Sequence, residues 1–244
     1  MIEKIQRQWE TLGNQDPYWA VLSDHSKMGG KWSKEEFFAT GEIEIDAALR
    51  KTRDLGIKLK YSAALDFGCG VGRLSRAISE RFEQVSSVDI SKTMLNHAKE
   101  ANSDKKNIKY ILNTRSDLSI IPSNSVDFLY SNIVLQHIPS GLQKSYIQEF
   151  CRVLNTGGVM VIQTPSHINT QTWQGWAFKF LGNRILNFLR RFIYGGASGV
   201  MEIYLLPQDE VLRLIKDEGL IIMGVEHNFS TGVALNSYNY TAQK

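Results

Sequence analysis

Leu65-Asp66-Phe67-Gly68-Cys69-Gly70-Val71-Gly72-Arg73 sets an acidic residue ahead of glycines at every second position. The run Tyr61 to Leu65 precedes it and the helix-like pattern Leu74 to Phe82 follows, so the order reads as strand, tight turn, helix. Glycine lets such a turn fold sharply and lets a ligand lie against backbone where a Cβ would clash. Asp66, at the strand's carboxyl end, faces the crevice in which open α/β sheets bind ligands. A small-molecule site is therefore predicted at this turn.

Spacing narrows the ligand. The dinucleotide fingerprint is G-x-G-x-x-G, whereas here the glycines run Gly68-x-Gly70-x-Gly72, which argues against a nicotinamide-dependent oxidoreductase. Gln84 to Asp89 is a short β-type run ending in an acid. Asp89 falls about 20 residues after the glycine turn, where a carboxylate can accept both ribose hydroxyls of an adenosine. Ser91 then serves as N-cap for a helix through Met94, Leu95, Ala98 and Ala101.

Two further stretches carry a family resemblance. Ser125-Val126-Asp127-Phe128-Leu129-Tyr130-Ser131 leads into Asn132-Ile133-Val134-Leu135-Gln136-His137, and Arg152-Val153-Leu154-Asn155-Thr156-Gly157-Gly158 follows. With the glycine turn and Asp89, these resemble motifs of the class I S-adenosylmethionine (SAM) methyltransferases over about residues 60–165. Asn155-Thr156 stands where that family commonly has Lys-Pro, a departure that affects a turn and not chemistry.

The resemblance implies a Rossmann-like, doubly wound seven-stranded α/β sheet whose last strand is antiparallel. It implies SAM as cofactor, S-adenosylhomocysteine as product, and no metal. The cofactor set it implies is Asp66, Gly68, Cys69, Gly70, Gly72, Arg73, Leu74, Asp89, Ile90, Met94, Asn132 and Ile133. Ser116 and Asp117, between strands three and four, are its candidates for the adenine edge, with a plain loop surface as the alternative. His137, just beyond strand four, is either the general base or a structural histidine. His167, Trp173, Tyr204 and Phe38 are candidate substrate contacts.

Strands are predicted near 62–67, 84–89, 108–112, 126–131, 158–163, 220–227 and 235–242, and helices near 72–82, 92–102, 140–154 and 208–218. Residues 1–56 form a helical lid ahead of the 57–244 domain. In that lid Ser33-Lys34-Glu35-Glu36 caps a short helix, and a second helix runs from Gly41 to a stop at Gly56. Trp9 is read as packing; Phe38, Thr40 and Gly41 are placed nearer the site.

The 166–200 insertion is rich in aromatics and bases, with no Asp or Glu between Glu149 and Glu202. It fits a substrate cap, plain packing, or a peripheral membrane or lipid-linked contact through 173–193. Gly195 to Gly199 reads as a hinge.

Bulk properties bound the rest. A chain of 244 residues suffices for one α/β domain with additions, and a net charge of +3 does not suggest duplex nucleic acid. Cys69 and Cys151 form no disulfide framework and read as buried thiols in a reducing compartment. A charged amino terminus without a long apolar run points to a cytoplasmic protein. No N-P-P-Y, D-P-P-Y or Pro-Cys pair marks a DNA-modifying enzyme. The expected activity is methyl transfer to a small molecule, oxygen before nitrogen. A SAM-binding module without turnover, or a membrane-docking protein of the same fold, is the alternative.

Overall fold

A computed structural model describes residues 2–181 and 201–244. The strands are β1 (Ala63–Phe67), β2 (Gln84–Asp89), β3 (Ile108–Leu112), β4 (Val126–Ser131), β5 (Leu154–Ile168), β6 (Ile221–Asn228) and β7 (Leu235–Gln243). They form one sheet in the order β3-β2-β1-β4-β5-β7-β6. The first five are parallel, and β7 runs antiparallel to both β5 and β6. The sheet thus reverses its order at β1, and the carboxyl ends of β1 and β4 open the crevice there.

The helices include α1 (Ile2–Gln15), α2 (Pro17–Val21), α3 (Lys34–Asp54), α4 (Arg73–Ser79), α5 (Lys92–Ala101), α6 (Ser140–Val153) and α7 (Gln208–Asp217), and residues 173–181 are also helical. Alternation along the strands feeds two cores. Leu65, Phe67 and Leu129 turn to the face covered by Tyr146, Ile147 and Phe150 of α6 and Val211 and Ile215 of α7. Ala64, Phe128 and Tyr130 turn to the opposite face, under Ile45 and Leu49 of α3 and Leu74 and Ile78 of α4.

Two sequence expectations change. β5 starts at Leu154, earlier than predicted, and runs on to Ile168 because β7 pairs with it as far as Ile168↔Leu235. The two N-terminal helices predicted around Gly41 are one, α3, whose cap is Ser33 accepting the Glu36 NH. Gly41 does not break it. A Cβ there would lie 2.6 Å from the Arg73 carbonyl oxygen, so this glycine lets α3 press against the start of α4.

A third cluster ties the N-terminal segment to the crevice. Leu12, Ala20, Phe37 and Phe38 pack with Val71 of the glycine turn and Met94 of α5. Among the described residues, no helix is long and apolar enough to cross a membrane.

Candidate functional site

The glycine turn joins β1 to α4. Gly68 and Cys69 donate their NH groups to the Val88 carbonyl at 2.8 and 3.0 Å, which draws the ends of β1 and β2 together. Gly68 sits at φ +76°, and a Cβ on it would lie 2.4 Å from both Val134 methyls. Backbone is therefore the only thing the chain can present there.

Two carboxylates flank that backbone. Asp89 accepts the Gly70 NH and the Ser91 NH, both at 2.8 Å, one on each oxygen. A carboxylate has about four acceptor positions, so some remain for a ligand. Burial pushes the Asp89 carboxyl up to about 6, against hydrogen bonds that pull it down. Asp66 accepts from the Ser75 hydroxyl at 2.6 Å, while its Oδ1 is buried without a partner among the described residues. Burial raises it to about 7, opposed by the Ser75 bond and the Arg73 charge.

Arg73, buried at 3% exposure, pairs with Glu44 of α3 at 2.7 Å and donates to Thr40 at 3.2 Å. The same Glu44 carboxylate accepts from Asn132 at 2.7 Å and from the Tyr130 hydroxyl at 3.1 Å. Arg73 Nε and Asn132 Oδ1 are buried and have no partner among the described residues. Beside Asn132, Ile133 adopts φ +62°, a conformation a β-branched residue rarely takes. Its NH is held by Gln163 Oε1 at 2.9 Å.

Of the sequence-derived cofactor set, Gly68, Cys69, Gly70, Arg73, Leu74, Asp89, Ile90, Met94, Asn132 and Ile133 line one crevice. Asp66 and Gly72 are not among the lining residues. Burial holds the Cys69 thiol well above its usual range, so it stays protonated. Ser116 and Asp117 are not among the lining residues; Asp117 bonds to the Ser119 NH and hydroxyl at 3.1 and 2.8 Å. Asn113 lines the crevice at that edge instead.

His137 is buried just outside the lining and both ring nitrogens are engaged. Nδ1 lies 2.9 Å from the Glu202 carbonyl, which can only accept, so Nδ1 carries the proton. Nε2 then accepts from the Gln136 amide at 3.1 Å. Gln136 in turn accepts from Gln163 at 3.2 Å, and Gln163 donates to Ser237. Burial lowers the imidazole to about 4, so it is neutral at physiological pH.

The four candidate substrate residues besides His137 lie elsewhere. Phe38 packs with Phe37 and Tyr18. His167 bonds to Asn236 at 2.9 Å, on the β5–β7 pair. Trp173 is 76% exposed, and the Tyr204 hydroxyl donates to Glu202. The insertion residues 182–200, including Gly195 to Gly199, lie outside the described residues.

Sequence reasoning missed α1. Ile2, Ile5 and Trp9, one face of that helix, line the crevice, and Trp9 meets His137 edge-on at 5.4 Å between ring centres. Their spacing announces an apolar face but not what it covers. Glu44 was also missed, having no motif to mark it.

A Rossmann-like sheet with an antiparallel seventh strand and a glycine-walled crevice at its switch point defines the SAM-methyltransferase class of fold. The sequence profile of the family described as "Methyltransferase domain" matches residues 65–162. Trans-aconitate 2-methyltransferase of Azoarcus sp. is 30% identical over 154 residues, covering 58% of this chain and 58% of that protein. The malonyl-[acyl-carrier protein] O-methyltransferase of Salmonella typhimurium is 32% identical over 107 residues, 43% of this chain and 39% of that one. The chain thus spans about half the length of the curated relatives it matches. Magnesium protoporphyrin IX methyltransferase from Synechocystis, solved with bound S-adenosylhomocysteine, superposes with a TM-score of 0.64 over 99% of both chains at 16% identity. Residues 65–162 thus match a methyltransferase domain, on a fold shared with SAM-dependent methyltransferases.

Proposed function

We propose that this protein transfers the methyl group of SAM to an oxygen of a small-molecule acceptor, releasing S-adenosylhomocysteine. The observation that carries it is the crevice at the sheet's switch point, walled by Gly68 and Gly70 and flanked by the Asp89 and Asp66 carboxylates. The residues present fit the cofactor. Asp89 holds the ribose hydroxyls with its remaining acceptor positions, and Asn113, a lining residue, edges the adenine. The unpartnered Asp66 Oδ1 is an acceptor suited to an ammonium group.

Bound SAM supplies an activated methyl on a good leaving group, so the protein's share is alignment and exclusion of water. Ile2, Ile5 and Trp9 close the crevice from the α1 side, giving the N-terminal segment the role of a lid. Among the described lining residues none is free to take a proton. Cys69 is held protonated, Asp89 is taken up by backbone and, on this reading, by the ribose, and His137, just outside the lining, uses both nitrogens. That favours an acceptor whose oxygen is already ionised, since such a nucleophile needs no base. The relative named as an O-methyltransferase agrees with oxygen as the target.

Incubation with methyl-labelled SAM and a fractionated cell extract tests the reading. Label in small acidic molecules supports it. Label in amines or macromolecules overturns the acceptor class, and binding of S-adenosylhomocysteine without transfer to any fraction leaves a SAM-binding module.

A second feature bears on the acceptor's source. Trp173, Trp176 and Phe180 are 76%, 46% and 72% exposed, and Lys179 lies 5.3 Å from the Trp176 ring. At spacings of three and four they share one face of a helix, in a stretch of sequence that lacks acids from 150 to 201. A peripheral contact with anionic lipid follows from that chemistry. Sedimentation with anionic but not neutral vesicles is the expected result, and no sedimentation with either sinks it.

A further inference from the structure

Three buried polar atoms beside the β1/β4 end of the crevice have no partner among the described residues: Arg73 Nε and Asn132 Oδ1, on two of its lining residues, and Asp66 Oδ1, next to them but outside the lining. Two are acceptors and one is a cationic donor. That combination complements a zwitterionic amino-acid group, ammonium against the acceptors and carboxylate against the guanidinium. The pattern depends on which way the Asn132 amide points, because a flipped amide would present a second donor instead.

Glu44 settles that direction. Its Oε1 accepts from Asn132 Nδ2 at 2.7 Å, so Nδ2 is turned away and Oδ1 is left over. Its Oε2 pairs with Arg73 Nη2 at 2.7 Å, and Thr40 one turn earlier on α3 takes Nη1 at 3.2 Å. Between them the two α3 residues occupy the outer edge of the guanidinium and leave Nε. Gly41, on the same helical face, lets α3 approach α4 closely enough for both contacts. With its side chain 22% exposed, Glu44 stands behind the crevice wall and is not one of the lining residues.

Resting on the SAM-binding reading above, we infer that Glu44 is a positioning residue. It orients Arg73 and Asn132 so that the crevice recognises the amino-acid end of the cofactor. A ligand with that end gains from Glu44; a ligand carrying only the thioadenosine part does not. The charge matters as well as the shape. A glutamine at 44 would offer one acceptor and one donor, and could not satisfy the guanidinium and the Asn132 amide together.

The test compares two ligands by calorimetry, S-adenosylhomocysteine and 5′-methylthioadenosine, the second lacking the amino-acid group. Glu44→Gln is expected to weaken S-adenosylhomocysteine about tenfold or more and to leave methylthioadenosine within about twofold, with Glu44→Asp recovering part of the loss. If both ligands weaken equally, or neither does, Glu44 is only structural and the inference fails. If the unaltered protein binds neither ligand, the SAM reading itself fails, a result separable from the first. Should Glu44→Gln not fold, Asn132→Ala applies the same ligand comparison with the Arg73–Glu44 pair intact. An equal loss for both ligands there would also overturn the inference.

Discussion

The Glu10 carboxylate of α1 accepts the Lys92 backbone NH at 2.7 Å, and its other oxygen accepts the Thr93 NH at 3.0 Å. These are donors in the first turn of α5 that no helical carbonyl can reach, so one helix caps another. The contact holds α1, with Ile2, Ile5 and Trp9, over the crevice. Burial pushes the Glu10 carboxyl up, but hydrogen bonds from Thr93, Lys92 and Ser91 outweigh it and hold it below 4.5. The contribution is therefore present above pH 4.5 and is lost as pH falls through the lower folded value. Glu10→Ala should cost about 1 kcal/mol and speed release of S-adenosylhomocysteine about fivefold. Stopped-flow release at an unchanged rate would disconnect α1 from the crevice.

Gly68 gives a second outcome. An alanine there meets two penalties, a left-handed backbone and a clash 2.4 Å from both Val134 methyls. Strain of about 1–2 kcal/mol and overpacking of about 1–3 kcal/mol add in the same direction. Gly68→Ala should thus unfold at clearly lower denaturant and lose S-adenosylhomocysteine binding. Truncating Val134 to alanine in the same chain removes the methyls and should return part of the stability. A double variant no more stable than Gly68→Ala would place the whole cost in the backbone.

The parts of this molecule that sequence made legible are the local ones. Six of the seven strands stand near their expected positions, and β5 overruns its own at both ends, at the far one because β7 pairs with it as far as Ile168. The glycine turn and Asp89 are read from spacing alone. What escaped depends on distant partners: Glu44 meets Arg73 and Asn132 across 29 and 88 residues. At the expected adenine edge the local turn decides which side chain reaches the crevice. Asp117 is the nearer acid, but its side chain closes its own turn on Ser119, while Asn113 accepts the Arg115 NH and reaches the crevice. The motif-derived Ile133 was named, yet nothing in its neighbours announces a φ of +62°.

Asp66 and Asp89 make the fold pH-sensitive in an unusual direction. Burial raises them to about 7 and about 6 from an ordinary 3.8. Between 3.8 and those values the native state holds more protons than the unfolded chain. Stability from this pair is accordingly lost as pH rises, and the loss is complete above about 7. Asp66→Asn keeps an acceptor for Ser75 without the buried charge. It should raise Tm at pH 8 by on the order of 5 °C, with a smaller gain near pH 5, and abolish tight S-adenosylhomocysteine binding. A lower Tm at pH 8 would mean that Asp66 is stabilising when ionised.

His137 offers the sharpest separation of scaffold from chemistry. Its Nδ1 proton is committed to the Glu202 carbonyl and its Nε2 lone pair to Gln136, at the end of a chain reaching Gln163 and Ser237. Burial lowers it from 6.5 to about 4. Across that interval the unfolded chain takes the proton first, so His137 costs stability as pH falls from 6.5 toward 4, and contributes no titration near neutrality. His137→Gln should lose about 1–3 kcal/mol from the broken bonds, yet keep the same shape of kcat against pH between about 5 and 9. A general base would behave otherwise. The unaltered protein would show an inflection in that range, and the variant would lose it together with about 10²-fold or more in kcat while still binding S-adenosylhomocysteine.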